Sequence, residues 1–219
     1  MPNRRDGTTM FVKVCGLRTS EDVRAAVGAG ADAVGFVLTA SPRRVTPEQA
    51  RELGETVPAG VLTVGVFRGE PVEVVRAAVT TSGVRAVQLH GDEPASHYSA
   101  LRDLGVPLIR ATSPGDGTDL RLGALGEDLL LVDSPQPGSG AAWDWTTLDR
   151  ATLDGRWLLA GGLHPGNVAA AIDALRPWGV DVSSGVEQRR GVKDASLIQA
   201  FLDAVRARVG QNRTGRGRL

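Results

Sequence analysis

Short apolar runs alternate along the chain with longer segments whose apolar residues recur at helical spacing, and the alternation repeats about eight times. The runs lie at residues 11–15, 33–38, 62–67, 86–89, 107–110, 128–133, 157–160 and 179–182. They are rich in Val and Leu, and most lack the strict polar alternation of a sheet with one wet face. Such runs read as strands covered on both sides, the usual condition of a parallel sheet. Helix starts are legible between them. Thr19-Ser20-Glu21-Asp22 puts capping hydroxyls ahead of acids that suit a helix N-terminus. Thr46-Pro47-Glu48 pairs an N-cap with a proline at the first helical position. His164-Pro165-Gly166-Asn167 precedes an apolar stretch at 168–175, and His97 falls on the fourth helix. Shorter, weakly patterned helices are expected around 118–125 and 146–150.

Eight strand–helix units in about 200 residues predict an α/β protein with a single (β/α)₈ barrel domain. An open, doubly wound sheet shows the same alternation, but no GxGxxG or Walker-type loop follows the first strand. No Pro/Gly-rich linker splits the chain. The expected organisation is a flexible polar segment at 1–10, a catalytic barrel at 11–209 and a disordered Gly/Arg-rich tail at 210–219.

Composition narrows the function. Of 219 residues, 25 are Lys or Arg and 25 are Asp or Glu, for a formal net charge of zero. That balance speaks against nucleic acid or an anionic membrane as partner, so an anionic small molecule has to be held by a local site. One cysteine excludes an intramolecular disulfide, and three widely spaced histidines without HxxxH spacing give no metal motif. No run approaches the roughly 18 apolar residues of a membrane helix, and the first ten residues lack a secretion signal, so a cytoplasmic location is expected.

In such barrels chemistry sits at the C-terminal ends of the strands. Cys15 ends the first strand; period two puts Lys13 on the same face, and Gly16 permits an immediate turn. A free thiol titrates near pH 8.5, so a cysteine base needs help, which an inward Lys13 would supply. Asp133 follows Leu129-Leu-Leu-Val, an apolar approach that favours the acid form of a carboxyl. Structural readings stay open for both: a buried core thiol for Cys15, a solvated loop or capping aspartate for Asp133. Gly161-Gly162 and Ser183-Ser184-Gly185 follow strands seven and eight, the two loops that commonly cradle phosphate in this architecture. Gly138-Ser139-Gly140 reads as a loop that closes over substrate. Arg43 and Arg44 offer guanidinium forks matching a carboxylate, and His90 stands on the rim. Strands one and eight neighbour each other in a closed barrel, so Lys13 and Asp181 are expected to form an internal ion pair.

These residues belong to longer segments: Val12-Lys-Val-Cys-Gly-Leu, Gly30-Ala-Asp-Ala-Val-Gly-Phe-Val, Ser41-Pro-Arg-Arg-Val-Thr-Pro-Glu-Gln-Ala, Gln88-Leu-His-Gly, Leu131-Val-Asp-Ser, Leu159-Ala-Gly-Gly-Leu, and Asp181-Val-Ser-Ser-Gly-Val-Glu through Gly191-Val-Lys-Asp. In order and at barrel spacing, they resemble the phosphoribosylanthranilate isomerase family of tryptophan biosynthesis over residues 11–205. The resemblance implies a cofactor- and metal-free Amadori rearrangement of a phosphorylated substrate. Asp133 would be the general acid, Cys15 the general base and Arg43 the anthranilate-carboxylate ligand. The loops bearing Gly161, Gly162, Ser183, Ser184 and Gly185 would hold phosphate, with His90 and Asp181 also contacting substrate. The family includes monomers and dimers, and a monomer is expected. Four positions depart from its common pattern: Arg44 replaces a frequent Tyr, Trp143 a frequent Phe, and His164 and Gly166 a small polar residue and Glu. The rival reading is the histidine-pathway ribotide isomerase on the same barrel, which uses two aspartates; here the first strand ends in Cys15. A catalytically silent sugar-phosphate binder is the rival from another class.

Overall fold

Strand residues are buried whichever way they point. All five residues of β1 (Phe11–Cys15) and of β2 (Ala33–Val37) are buried, as are those of β4 (Ala86–Leu89), β6 (Leu129–Val132), β7 (Trp157–Leu159) and β8 (Gly179–Val182). The remaining two are β3 (Leu62–Phe67) and β5 (Leu108–Thr112). In the computed structural model, residues 10–115, 117–135, 145, 148 and 153–215 are described. The eight strands pair in parallel and in chain order, and β8 pairs back onto β1, closing the barrel. Closure rules out the open doubly wound sheet.

Period two along each strand sorts the apolar side chains into two sets. Phe11, Cys15, Val64, Ile109, Leu131 and Leu158 pack together inside the barrel. Their neighbours Val12, Val14, Phe36, Leu130 and Val132 pack outward against the helices. Phe11 stacks on Trp178 at 4.7 Å between ring centroids, capping the N-terminal end of the interior.

The outer layer holds α1 (Ser20–Gly28), α2 (Pro47–Glu55), α3 (Val72–Ser82), α4 (Ala95–Leu101), α5 (Val168–Leu175) and α6 (Ala195–Gly215). Capping boxes close at both expected starts, Thr19 with Asp22 and Thr46 with Gln49. Each is worth about 1 kcal/mol, which fixes where the strand-end loops stop. After β8 comes a 3₁₀ turn (Ser184–Val186) and then a ribbon of β9 (Glu187–Arg189) and β10 (Val192–Lys193).

Two expectations differ from what is observed. Residues 118–125 form turns rather than a fifth helix. Gly117, Gly123 and Gly126 sit at φ +77°, +85° and +94°, and the buried Arg110 takes Asp119 O at 2.7 Å and Arg121 O at 2.9 Å. Left-handed glycines and carbonyls committed to a guanidinium leave no helical ladder. Arg110 is held in turn by Glu127 (2.7 Å). The last helix runs to Gly215, five residues beyond the point where the disordered tail was expected to begin. The helix expected at 146–150 rests on residues largely outside the described ones. The N-terminal segment 1–9, Gly138-Ser139-Gly140, Trp143 and residues 216–219 also lie outside them.

Candidate active site

Cys15, Arg43, His90, Asp133, Gly161, Gly162, Asp181, Ser183 and Ser184 line one cavity of about 770 Å³ at the C-terminal end of the barrel. That volume suits a drug-sized ligand. Gly185 sits just behind the lining, in the 3₁₀ turn.

Cys15 pairs in register with Gly35 of β2, and a Cβ on Gly35 would stand 2.8 Å from the Cys15 Sγ. The missing side chain makes room for the thiol. Beneath it Lys13 is fully buried and its Nζ lies 3.0 Å from Asp181 Oδ1, the ion pair expected from neighbouring strands. Burial opposes the Lys13 charge, yet Asp181 and Cys15 beside it prevail and push the lysine above its ordinary value. Lys13 therefore stays protonated. Burial pushes the Cys15 thiol up, and Lys13, close enough to hydrogen-bond it, pulls against that shift. Asp181 is likewise raised by burial, against the pull of Lys13 and with the Asp133 carboxylate adding to the rise.

Asp133 follows β6, three strands round the barrel from β1, and is 6% exposed. Its Oδ1 accepts from Ser134 N at 2.7 Å, and its Oδ2 lies 3.1 Å from His90 Nε2. The His90 contact is close but poorly aligned, since Nε2 has no hydrogen-bond partner among the described residues. Gln88 Oε1 is also unpartnered there, while its amide nitrogen lies 3.3 Å from His90 Nδ1. Two buried polar atoms left open on the wall of one cavity point to a ligand that satisfies them.

The loops after β7 and β8 are pressed together. Gly161 and Gly162 adopt φ +85° and +65°. A Cβ on Gly185 would fall 1.8 Å from Leu163 O, so only glycine permits this approach. Asn167 Nδ2 donates to Gly162 O at 2.9 Å and holds the first loop down. The N–H groups of Gly162, Ser184 and Gly185 donate to no acceptor among the described residues. Free amides on two adjoining loops can receive an anion without a charged side chain.

Arg43 is buried and lines the cavity, whereas Arg44 is exposed and does not. One edge of its fork is already engaged: Nε meets Glu187 Oε1 at 2.7 Å and Nη2 meets Oε2 at 3.0 Å. Glu187 also takes Lys193 Nζ at 2.8 Å, and these cations hold its carboxyl down at about 2 against the effect of burial. Glu187, Lys193 and Gln88 were not among the residues singled out from sequence. All three lie inside the segments that carried the resemblance, which was the available signal. No group of three or more His, Cys, Asp or Glu among the described residues is arranged to hold a metal, and no described helix is long and apolar enough to cross a membrane.

Residues 12–204 match the family described as N-(5′-phosphoribosyl)anthranilate isomerase. The chain is 44% identical to the N-(5′-phosphoribosyl)anthranilate isomerase of Symbiobacterium thermophilum, over 90% of this chain and 98% of that one. Among solved structures it resembles TrpF from Jonesia denitrificans, with TM-score 0.82, 45% identity, and coverage of 91% of this chain and 98% of that one. It also resembles the enzyme from Thermus thermophilus, with TM-score 0.82, 38% identity, and coverage of 93% and 100%. The chain belongs to the N-(5′-phosphoribosyl)anthranilate isomerase family, which converts N-(5′-phosphoribosyl)anthranilate into 1-(2-carboxyphenylamino)-1-deoxyribulose 5-phosphate in tryptophan biosynthesis.

Proposed function

We propose that this isomerisation runs on Cys15 as general base and Asp133 as general acid, with Arg43 reading the anthranilate carboxylate and the two glycine-bearing loops holding phosphate. The observation that carries the reading is the convergence of a thiol, a carboxyl, a buried guanidinium and free amides on one cavity. A solved family member, 34% identical, is described as a complex with the reduced product, a ligand that carries a phosphate and a carboxylate.

Asp133 gives its proton to the ribose ring oxygen, and the C1′–O bond breaks to leave a protonated Schiff base to the anthranilate nitrogen. The Cys15 thiolate then takes the C2′ proton. The C2′–H electron pair becomes the C1′=C2′ double bond and the nitrogen regains its lone pair, giving an enolamine that tautomerises to the ketone. His90 stands beside Asp133, its Nε2 3.1 Å from Oδ2. Asp181 and Lys13 underlie the base. A local acid–base pair of this kind contributes on the order of 100- to 10,000-fold per group.

A monomer is supported by the surface, since Val74 is the sole large hydrophobic residue exposed among the described residues. A dimeric relative from Thermotoga maritima is known, so light scattering of the purified protein decides this point. The catalytic reading is tested by following the loss of anthranilate fluorescence on freshly generated substrate. Cys15→Ala and Asp133→Asn are each expected to lower turnover by roughly 100-fold or more. Near-normal turnover in either variant removes that residue from its role.

A further inference from the structure

The ribbon that follows β8 carries two buried charges that the acid–base chemistry does not use. Glu187 and Lys193 pair across β9 and β10, and their side chains are 3% and 1% exposed. The Glu187 carboxylate is saturated by four donors: Arg43 Nε and Nη2, Lys193 Nζ, and Gly191 N at 3.0 Å. Lys193 spends its other donors on Ser183, at 2.8 Å to the carbonyl and 3.3 Å to Oγ. Ser183 Oγ in turn donates to Cys15 O at 3.1 Å. An unbroken chain of polar contacts thus runs from Arg43 in the loop after β2 to the loop after β8 and the end of β1.

Two glycines keep this chain tight. A Cβ on Gly16 would stand 2.7 Å from Arg43 Cδ, and one on Gly191 would stand 2.8 Å from Pro42 O. The Arg43 stem therefore lies flat on the end of β1, and the tip of the ribbon presses on the Arg43 loop. With Nε and Nη2 fixed by Glu187, Nη1 has no acceptor among the described residues while the side chain lines the cavity. Two cations share one carboxylate, so the cluster holds an unmatched positive charge next to the substrate cavity.

We propose that Glu187 and Lys193 are positioning residues that set the span between the Arg43 guanidinium and the β8 loop, and so select substrates bearing an aryl carboxylate and a phosphate at that separation. The inference rests on the roles given above to Arg43 and the β8 loop. Glu187 acts through Arg43 and touches no substrate. Lys193 ties the fixed guanidinium to Ser183, so that neither anion site shifts without the other. A flexible arginine would bind a carboxylate over a range of positions; one held by its own edge binds it at a single position.

The test compares Glu187→Gln, Arg43→Met and the two combined, using steady-state turnover together with binding of the reduced product and of inorganic phosphate. Glu187→Gln is expected to raise KM, and the Kd of the reduced product, by roughly tenfold or more, with kcat changed much less and phosphate affinity retained. Arg43→Met raises the same constants, and adding Glu187→Gln to it costs little further, since the second residue works through the first. The double substitution Glu187→Gln/Lys193→Gln, which removes both partners of that ion pair and leaves the net charge of the cluster unchanged, serves if Glu187→Gln alone fails to fold, and is expected to show the same KM-weighted loss. The proposal is overturned if Arg43→Met raises KM while the Glu187 variants leave it unchanged, or if their full cost persists in the Arg43→Met background. If Arg43→Met leaves KM at its original value, the carboxylate-reading role of Arg43 fails first and takes this inference with it.

Discussion

Lys13 and Asp181 are register partners across the β1–β8 seam, and their side chains meet inside the barrel at 3.0 Å with Lys13 fully buried. The pair forms the floor under Cys15. Its two charges act on the thiol with opposite signs: Lys13 favours the thiolate and Asp181 disfavours it. Because Cys15 is the chain's one cysteine, the rate of alkylation by iodoacetamide reports on it alone. Lys13→Met is expected to raise the thiol pKa and slow alkylation near pH 8; Asp181→Asn is expected to do the reverse. Equal alkylation profiles in all three proteins would show that the floor does not tune the thiol.

The two loop glycines should separate chemistry from binding. A Cβ on Gly161 would come within 2.8 Å of Asp133 Oδ1 and 2.4 Å of Ser134 N, whereas one on Gly185 meets Leu163 O. Gly161→Ala therefore displaces Asp133, the proposed acid, and a fall mainly in kcat is expected. Gly185→Ala forces apart the two loops proposed to hold phosphate, and a rise mainly in KM is expected. Steady-state kinetics of the two variants checks the split, and the opposite pattern would contradict the placement of the two functions.

Glu187 also predicts an acid limit. Its pKa falls from an ordinary 4.5 to about 2 in the folded protein. A depressed carboxyl contributes stability that is fully present above the unfolded value and is lost as pH falls through the folded one. The urea midpoint of the protein should therefore decline between about pH 4.5 and 2 more steeply than that of Glu187→Gln. Parallel declines would mean that the carboxyl is not held down by Arg43 and Lys193.

Arg110 and Glu127 offer a control away from the chemistry. Both side chains are nearly fully buried, at 6% and 0% exposure, and they organise the turns that replace the fifth helix. Glu127→Gln leaves a buried guanidinium without its counter-charge, for which a loss of about 3–5 kcal/mol is expected. Thermal or urea unfolding measures it, and turnover per folded molecule should change little.

The pattern along the chain located the barrel because its strands are buried on both faces and so appear as continuous apolar runs. Four of the eight strands, β1, β3, β4 and β8, begin and end at the expected residues. Closure makes the first and last strands neighbours, which places Lys13 beside Asp181 from strand order alone. The segment after β5 resisted because its conformation is set by tertiary contacts of Arg110, which local propensity does not contain. The same reason hid the engagement of Arg43: Glu187 lies 144 residues away and reaches it only once the β9–β10 ribbon folds over the loop after β2. Sequence pattern finds residues at strand ends readily, and it finds poorly the partners that aim them.

Substrate deuterated at C2′ tests whether Cys15 removes the C2′ proton. Turnover of ordinary and deuterated substrate is compared in the original protein and in Cys15→Ser, whose hydroxyl is a far weaker base. A base at Cys15 predicts a fall in kcat of roughly 100-fold or more for Cys15→Ser, with a larger isotope effect because proton removal has become the slow step. Original turnover with an unchanged isotope effect in Cys15→Ser would contradict it and move the base to another residue on the cavity wall.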